Sequence, residues 1–380
     1  MQVLPKLDSG GGGVERGTIE VAQALKAAGW GAVVVSNGGA LVHELTRLGV
    51  THYQLPVDSK SYGVIQSNKK KLEEIIRAEK VDIVHARSRA PAWSAHTAAQ
   101  NAGVHFITTF HGTYGLGWLN AKKAYNKVMT FGERVIAISN FIADHIREHY
   151  DVPEEKLRVV HRGVDLRRFD PDLVTAQRMV MLSEKWRLPD GAPVIMLPGR
   201  LTRWKGQTVL IEALAKLGRK DVRCLLVGGD QGRDGYREEL VRLIEKRGLT
   251  EVVHLVGGFE EMPVAYMLTD VVVSASTDPE AFGRVAVEAQ AMGRPIIATD
   301  HGGSRETVRP GGETGWLVPP NDPEALAAAL KDVLALDAAA RDDLARRGIA
   351  FVRENFSTQA MCEEELKVYE EVLRLPVGGA

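Results

Sequence analysis

Two glutamates and two cations carry the chemistry that this sequence can do. Glu280 and Glu288 are separated by seven residues, AFGRVAV. A buried-type strand around residues 271–273 runs into a polar turn at 276–279, and the pattern then predicts a helix from about residue 282 to 293. Glu280 therefore stands at the mouth of the turn. Glu288 falls in the middle of an apolar helix, where a carboxylate is costly unless donors meet it. Those donors are a neighbouring Arg or Lys, or the hydroxyls of a ligand. At the start of the helix the amides of Phe282, Gly283, Arg284 and Val285 lack intrahelical acceptors, and with the positive end of the helix dipole they suit phosphate oxygens. Gly283 leaves room for such a ligand. The reading is one site with three chemistries: amides for a diphosphate, Glu288 for a sugar diol, Glu280 for a reacting sugar. An ordinary strand, turn and helix, with Glu280 solvated and Glu288 in a salt bridge, fits the spacing equally well.

A second strand-to-helix turn reads PGRLTRWKG. Arg200 and Lys205 lie between a strand at 194–197 and a helix beginning near residue 207. Both can reach one phosphate cluster, Arg as a planar fork and Lys as a point charge. Cations at a helix N-terminus oppose its dipole and need an anion to justify them. Arg203 and Trp204 are expected to face solvent or a domain interface.

The residues around these groups are organised by alternation. Short β-rich runs near 2–7, 32–36, 81–85, 106–110 and 135–138 are separated by helical patterns, and the alternation resumes after residue 193. Such a pattern predicts parallel, doubly wound sheets with ligands at the carboxyl ends of strands, where His85, His111 and Ser139 are expected. A glycine-rich stretch, Ser9-Gly10-Gly11-Gly12-Gly13, follows the first run and permits close approach to a phosphate, although four glycines also suit a flexible loop.

The order of these motifs resembles one family. Ala-Phe-Gly after the first glutamate, and Glu-Ala-Gln-Ala-Met-Gly from the second, resemble the signature of family 4 retaining glycosyltransferases of the GT-B architecture, and related motifs flank it along nearly the whole chain. The resemblance implies that Glu280 lies at the transferred sugar and Glu288 holds the nucleotide ribose. It places His111, in TTFHGTYG, beside the donor sugar, with a plain loop histidine as the other reading. It matches Gly12 and Gly13 best to a pair facing the donor diphosphate. VVHRGVDLRRFDP resembles a hinge passage before the second domain. The implied fold is α/β, GT-B: two Rossmann-like doubly wound domains facing a cleft. An acceptor-side domain at 1–170 is joined by a C-terminal helix, 358–373, that crosses back onto it through Met361, Leu366, Tyr369 and Leu373. The nucleotide-sugar domain is 190–356.

The implied activity is retaining, metal-independent transfer of a hexose-like unit from a nucleotide diphosphate sugar to a glycan or lipid-linked acceptor, in cell-envelope polysaccharide or lipopolysaccharide synthesis. No cofactor beyond the donor substrate and no nucleic-acid partner are expected. Two rivals are a nucleotide-sugar epimerase on the same fold and a non-catalytic sugar-binding protein, which would not need Arg200 and Lys205 beside a helix.

Composition bounds the rest. A chain of 380 residues with 44% hydrophobic and 26% charged residues fits two globular domains. Two cysteines exclude a disulfide scaffold, and the lack of a signal-like start or a membrane-length apolar run favours a cytoplasmic protein. Residues 1–170 carry 22 Lys and Arg against 17 Asp and Glu, a net +5 that suits peripheral contact with the inner membrane or an anionic acceptor. Asp170-Pro171-Asp172 spells an acidic metal-binding pattern, but its proline and position predict a turn.

Overall fold

The computed structural model of the protein describes residues 1–8, 13–115, 122–232 and 234–377. Gly12, with the rest of the stretch 9–12, lies outside the described residues. The chain divides into two compact units, Met1–Arg162 with Thr358–Ala380, and Gly163–Ser357.

In the first unit the strands β1 (Gln2–Val3), β2 (Val33–Ser36), β3 (Thr51–Gln54), β4 (Ile83–Ala86), β5 (His105–Phe110), β6 (Arg134–Ala137) and β7 (Leu157–Val159) form one sheet in the order β3-β2-β1-β4-β5-β6-β7. Every pairing is parallel. Runs such as VVVS in β2 and HFITTF in β5 are buried at each residue, as strands covered on both faces must be. The direction of winding reverses between β1 and β4, which opens the usual ligand crevice at their carboxyl ends. His85 lies inside β4 and is buried, so it is not at a strand end as the pattern suggested.

The second unit repeats the plan with β8 (Val194–Pro198), β9 (Arg223–Val227), β10 (Val253–Gly257), β11 (Val271–Ser274), β12 (Ile296–Thr299) and β13 (Trp316–Val318), ordered β10-β9-β8-β11-β12-β13 and again parallel. Here the winding reverses between β8 and β11. Ile195, Leu197, Leu226, Val271 and Val273 from these strands share one core with Leu210 and Leu214 of the following helix. Asp170-Pro171-Asp172 is a turn, in which the Asp170 carboxylate accepts from the Asp172 amide at 3.0 Å. No helix among the described residues is long and apolar enough to cross a membrane.

The helix Thr358–Leu373 returns to the first unit and packs on the helix Gly13–Ala27. Its buried stripe differs from the expected one: Met361, Cys362, Glu365, Val368, Tyr369 and Val372 face inwards, while Leu373 is 44% exposed and Leu366 only partly covered. The reason is that the stripe is centred on a charge. Glu365 reaches Arg87, which is fully buried just past β4. Arg87 Nε also donates to Gln2 Oε1 at 2.6 Å. Burial alone would raise the Glu365 pKa, but the Arg87 charge, the neighbouring His85 and the hydrogen bond from Tyr369 hold it well below the usual carboxylate range. Tyr369 donates its one proton to Glu365 at 2.8 Å, so its oxygen accepts from His85 Nδ1 at 2.7 Å. His85 Nε2 is then the acceptor for the Thr109 hydroxyl, also at 2.7 Å. One carboxylate thus fixes a tautomer and seats a helix.

That ring is neutral because burial, and then the Arg87 charge, push its pKa from 6.5 down to about 4. The unfolded chain therefore binds this proton more tightly, and stability is complete above about pH 6.5 and lost as the pH falls towards 4, a span on the order of 3 kcal/mol. His85→Gln is expected to flatten the decline of the thermal midpoint across that window. Calorimetry of both proteins from pH 7 to 4 checks it; equal slopes would exclude His85 as the source.

Candidate active site

Two turns at the reversal point of the second unit hold the groups that the sequence singled out. β8 and β11 are neighbours, with Ile195 opposite Val271 and Met196 opposite Val272, so the turns that follow them emerge side by side. The turn after β8 ends in Gly206, whose φ of 70° no side chain adopts easily. A Cβ there would lie 1.8 Å from the Ala275 carbonyl oxygen. The Thr277 amide donates to the Trp204 carbonyl at 2.7 Å, and the Thr299 hydroxyl to the Ser276 carbonyl at 2.9 Å. Three strand ends are thereby locked to one another. The Gly303 amide adds a bond to the Glu280 carbonyl at 2.8 Å.

This framework brings Lys205 and Glu280 together. Lys205 Nζ donates to Glu280 Oε1 at 2.5 Å, and the Ser276 hydroxyl donates to the same oxygen at 2.6 Å. Glu280 Oε2 has no hydrogen bond among the described residues. Both side chains are largely covered, at 14% and 12% exposure. The Trp204 ring is half-buried and lies 4.3 Å from the ammonium. Arg203 is exposed and pairs with Glu239. Arg200 is exposed, and its guanidinium has no hydrogen bond or ion pair among the described residues. Its carbonyl is held by Gln207 Nε2 at 2.9 Å.

The helix after β11 is Arg284–Ala291, preceded by Gly283 with φ 90° and no side-chain cap. The amides of Gly283, Arg284 and Val285 have no acceptor among the described residues. The Phe282 side chain turns into the core, edge-on to Phe356. Glu288 is covered and satisfied: Oε2 accepts from the Tyr266 hydroxyl at 3.0 Å, and Oε1 pairs with Arg284 at 3.2 Å. Burial, and then the Glu288 charge, push the Tyr266 phenol well above its ordinary pKa, so it stays a donor. Each carboxylate oxygen keeps a lone pair for a ligand hydroxyl.

Gly13 and His111 belong to the first unit. Gly13 opens its helix, and His111 follows β5 by one residue. Burial, then the charges of Arg162 and Arg87, hold His111 well below the usual imidazole range, so the ring is neutral. Its Nε2 is shielded from solvent and has no hydrogen-bond partner among the described residues. Sequence reasoning missed Ser276 and Tyr266, which hold the two glutamates. Ser276 carries a faint signal, one turn before Glu280; Tyr266 carries none.

The family model described as Glycosyl transferases group 1 matches residues 181–351, and that described as Glycosyltransferase Family 4 matches residues 11–168. The crystal structure of a glycosyltransferase from Rickettsia africae ESF-5 is 40% identical, with a TM-score of 0.90 over 98% of each chain. The chain belongs to the family 4 glycosyltransferases. A GDP-mannose-dependent phosphatidylinositol monomannoside mannosyltransferase of Mycolicibacterium smegmatis is 30% identical, over 70% of each protein. Anabaena HepE in complex with UDP-glucose is 23% identical, with a TM-score of 0.83 over 98% of this chain and 100% of that one. The glycosyltransferase has the GT-B fold of these structures, with its two parallel sheets.

The locked turns yield a test. Gly206→Ala is expected to cost more than about 1 kcal/mol, because it combines a strained φ with a clash against backbone. Thermal unfolding should shift down by about 2–4 °C or more. An unchanged midpoint would mean that the turn is not packed as described.

Proposed function

We propose that this glycosyltransferase moves a hexose-like unit from a nucleotide diphosphate sugar to a glycan or lipid-linked acceptor of the cell envelope, with retention of configuration and without a divalent ion. The observation that carries the reading is the Lys205–Glu280 pair, set beside the uncapped amides at Gly283. An ammonium has three donors, and only one is used by Glu280, so two remain for phosphate oxygens. Lys205, the uncommitted Arg200 and the amides then meet the charge that develops on the departing diphosphate. Glu280 is neutralised by Lys205 and hydrogen-bonded by Ser276, which suits a group that orients sugar hydroxyls rather than a covalent nucleophile. Glu288, fixed by Arg284 and Tyr266, is assigned to the ribose. His111 is assigned to the transferred sugar as a neutral hydrogen-bonding group. The named relatives, one dependent on GDP-mannose and one holding UDP-glucose, support a nucleotide sugar as the donor class.

Lys205→Ala and Arg200→Ala are each expected to lower turnover by about 100-fold or more, and activity should survive excess EDTA. Near-normal turnover in both variants, or activity restored by manganese after chelation, would overturn the leaving-group assignment.

The two glutamates separate by what they touch. Glu288→Gln should weaken binding of the nucleoside diphosphate, whereas Glu280→Gln should lower turnover more than that affinity. Calorimetry with the diphosphate beside kinetics decides it, and the reverse pattern would exchange the roles.

A further inference from the structure

The chain enters the second unit at Gly163 through GVDLRRFDP, and Phe169 of this passage is only 5% exposed. A connecting segment can aim a side chain only where its own backbone is held. Here the Val164 amide donates to the Phe356 carbonyl at 2.8 Å, and the amides of Arg168 and Phe169 both return to the Asp165 carbonyl, at 3.0 and 2.8 Å. The Phe169 ring meets Tyr266 edge-on, with centroids 6.1 Å apart and planes at 62°. Arg168 lies 5.5 Å from the same Phe169 ring, and its Nη2 donates to the Glu260 carbonyl at 2.6 Å, just ahead of the helix that carries Tyr266.

Tyr266 depends on such support. Its helix, Met262–Met267, has six residues and is too short to hold its own geometry. The side chain is fully buried, and among the described residues its hydroxyl makes one hydrogen bond, the 3.0 Å bond to Glu288 Oε2. The direction of that bond is therefore set by how the ring is packed, and Phe169 is an aromatic neighbour of the ring.

What the phenol secures is the aim of Glu288. Arg284, one turn earlier on the same helix, already pairs with Oε1 at 3.2 Å. A guanidinium is a planar fork that takes both oxygens of a carboxylate when nothing opposes it. With Tyr266 on Oε2 the carboxylate does not turn into that fork, and each oxygen keeps a lone pair for a ligand hydroxyl.

We propose, on the assignment of Glu288 to the ribose, that Phe169 is a positioning residue for nucleotide recognition: through Tyr266 it holds Glu288 in the pose that accepts the ribose hydroxyls. Phe169 itself touches no ligand. A residue of the connecting passage thereby sets how strictly the site demands a ribose.

The test measures, by calorimetry on the full chain, the affinity for whichever of UDP, GDP or ADP binds best and for its 2′,3′-dideoxy form. The two ligands share base and diphosphate, so the ratio of their affinities reports the ribose hydroxyls alone. Wild type is expected to prefer the ribose form about tenfold or more, because the hydroxyls bond to a charged group. Tyr266→Phe keeps the ring, removes the hydrogen bond and should cut that preference about threefold or more. Phe169→Leu should cut it by a similar factor while changing affinity for the dideoxy form less than about twofold. Because Phe169 acts through Tyr266, adding Phe169→Leu to Tyr266→Phe should lower the preference no further. Phe351→Leu removes an aromatic contact of the same kind, to Phe356, and should leave the preference at its wild-type value. Phe169→Met, which keeps more of the apolar volume, replaces the leucine variant if that one fails to fold. A preference undiminished by the change at Phe169, a further loss in the double variant, or an equal loss in Phe351→Leu would overturn the role of Phe169. Equal binding of the two forms by wild type, or no binding of any of the three nucleotides, would overturn the donor reading and this role together.

Discussion

Parallel pairing of β8 with β11 is the constraint on which the second unit's chemistry depends. Two turns that are 75 residues apart in sequence emerge from neighbouring strands, and the result is an ammonium 2.5 Å from a carboxylate. Parallel strands require crossover helices, and each crossover begins with a run of unsatisfied amides at the same edge of the sheet. Cations, carboxylates and amides therefore accumulate where the winding reverses. The first unit obeys the same rule at β1 and β4, where Arg87 and the helix Arg89–Ala102 stand.

The protein uses ion pairs in two different ways. Arg87 and Glu365 are almost wholly out of water and bound into a chain with Tyr369, His85 and Thr109. Removing one member of such a pair costs about 3–5 kcal/mol, because the other is stranded in a poor solvent. Lys205 and Glu280 are covered but not sealed, and each keeps unused hydrogen-bonding capacity. The first pair fixes a helix. The second holds a site's charge in balance until a ligand arrives.

Much of this was legible in the sequence. Uninterrupted apolar runs such as VVVS and HFITTF are what doubly covered parallel strands require, and the alternation with helices left few other topologies. Arg200 and Lys205 were readable as two cations placed between a strand and the N-terminus of a helix. Asp170-Pro171-Asp172 was readable as a turn from its proline.

Other features belonged to tertiary structure, because they depend on pairs distant in sequence. Nothing in the spacing said that Ser276 and Lys205 converge on one oxygen of Glu280, or that Tyr266 holds Glu288. Nor did the spacing say that the Trp204 ring lies against the Lys205 ammonium. The last helix was readable as amphipathic, but its inward stripe was expected through Leu366 and Leu373 and is centred on Glu365 instead. A buried carboxylate is legible only once its partner is known, and Arg87 is 278 positions away. The sequence by itself determined the elements and the kinds of charge at their ends. The fold decided which charges meet, because strand order, not chain order, sets which ends are neighbours.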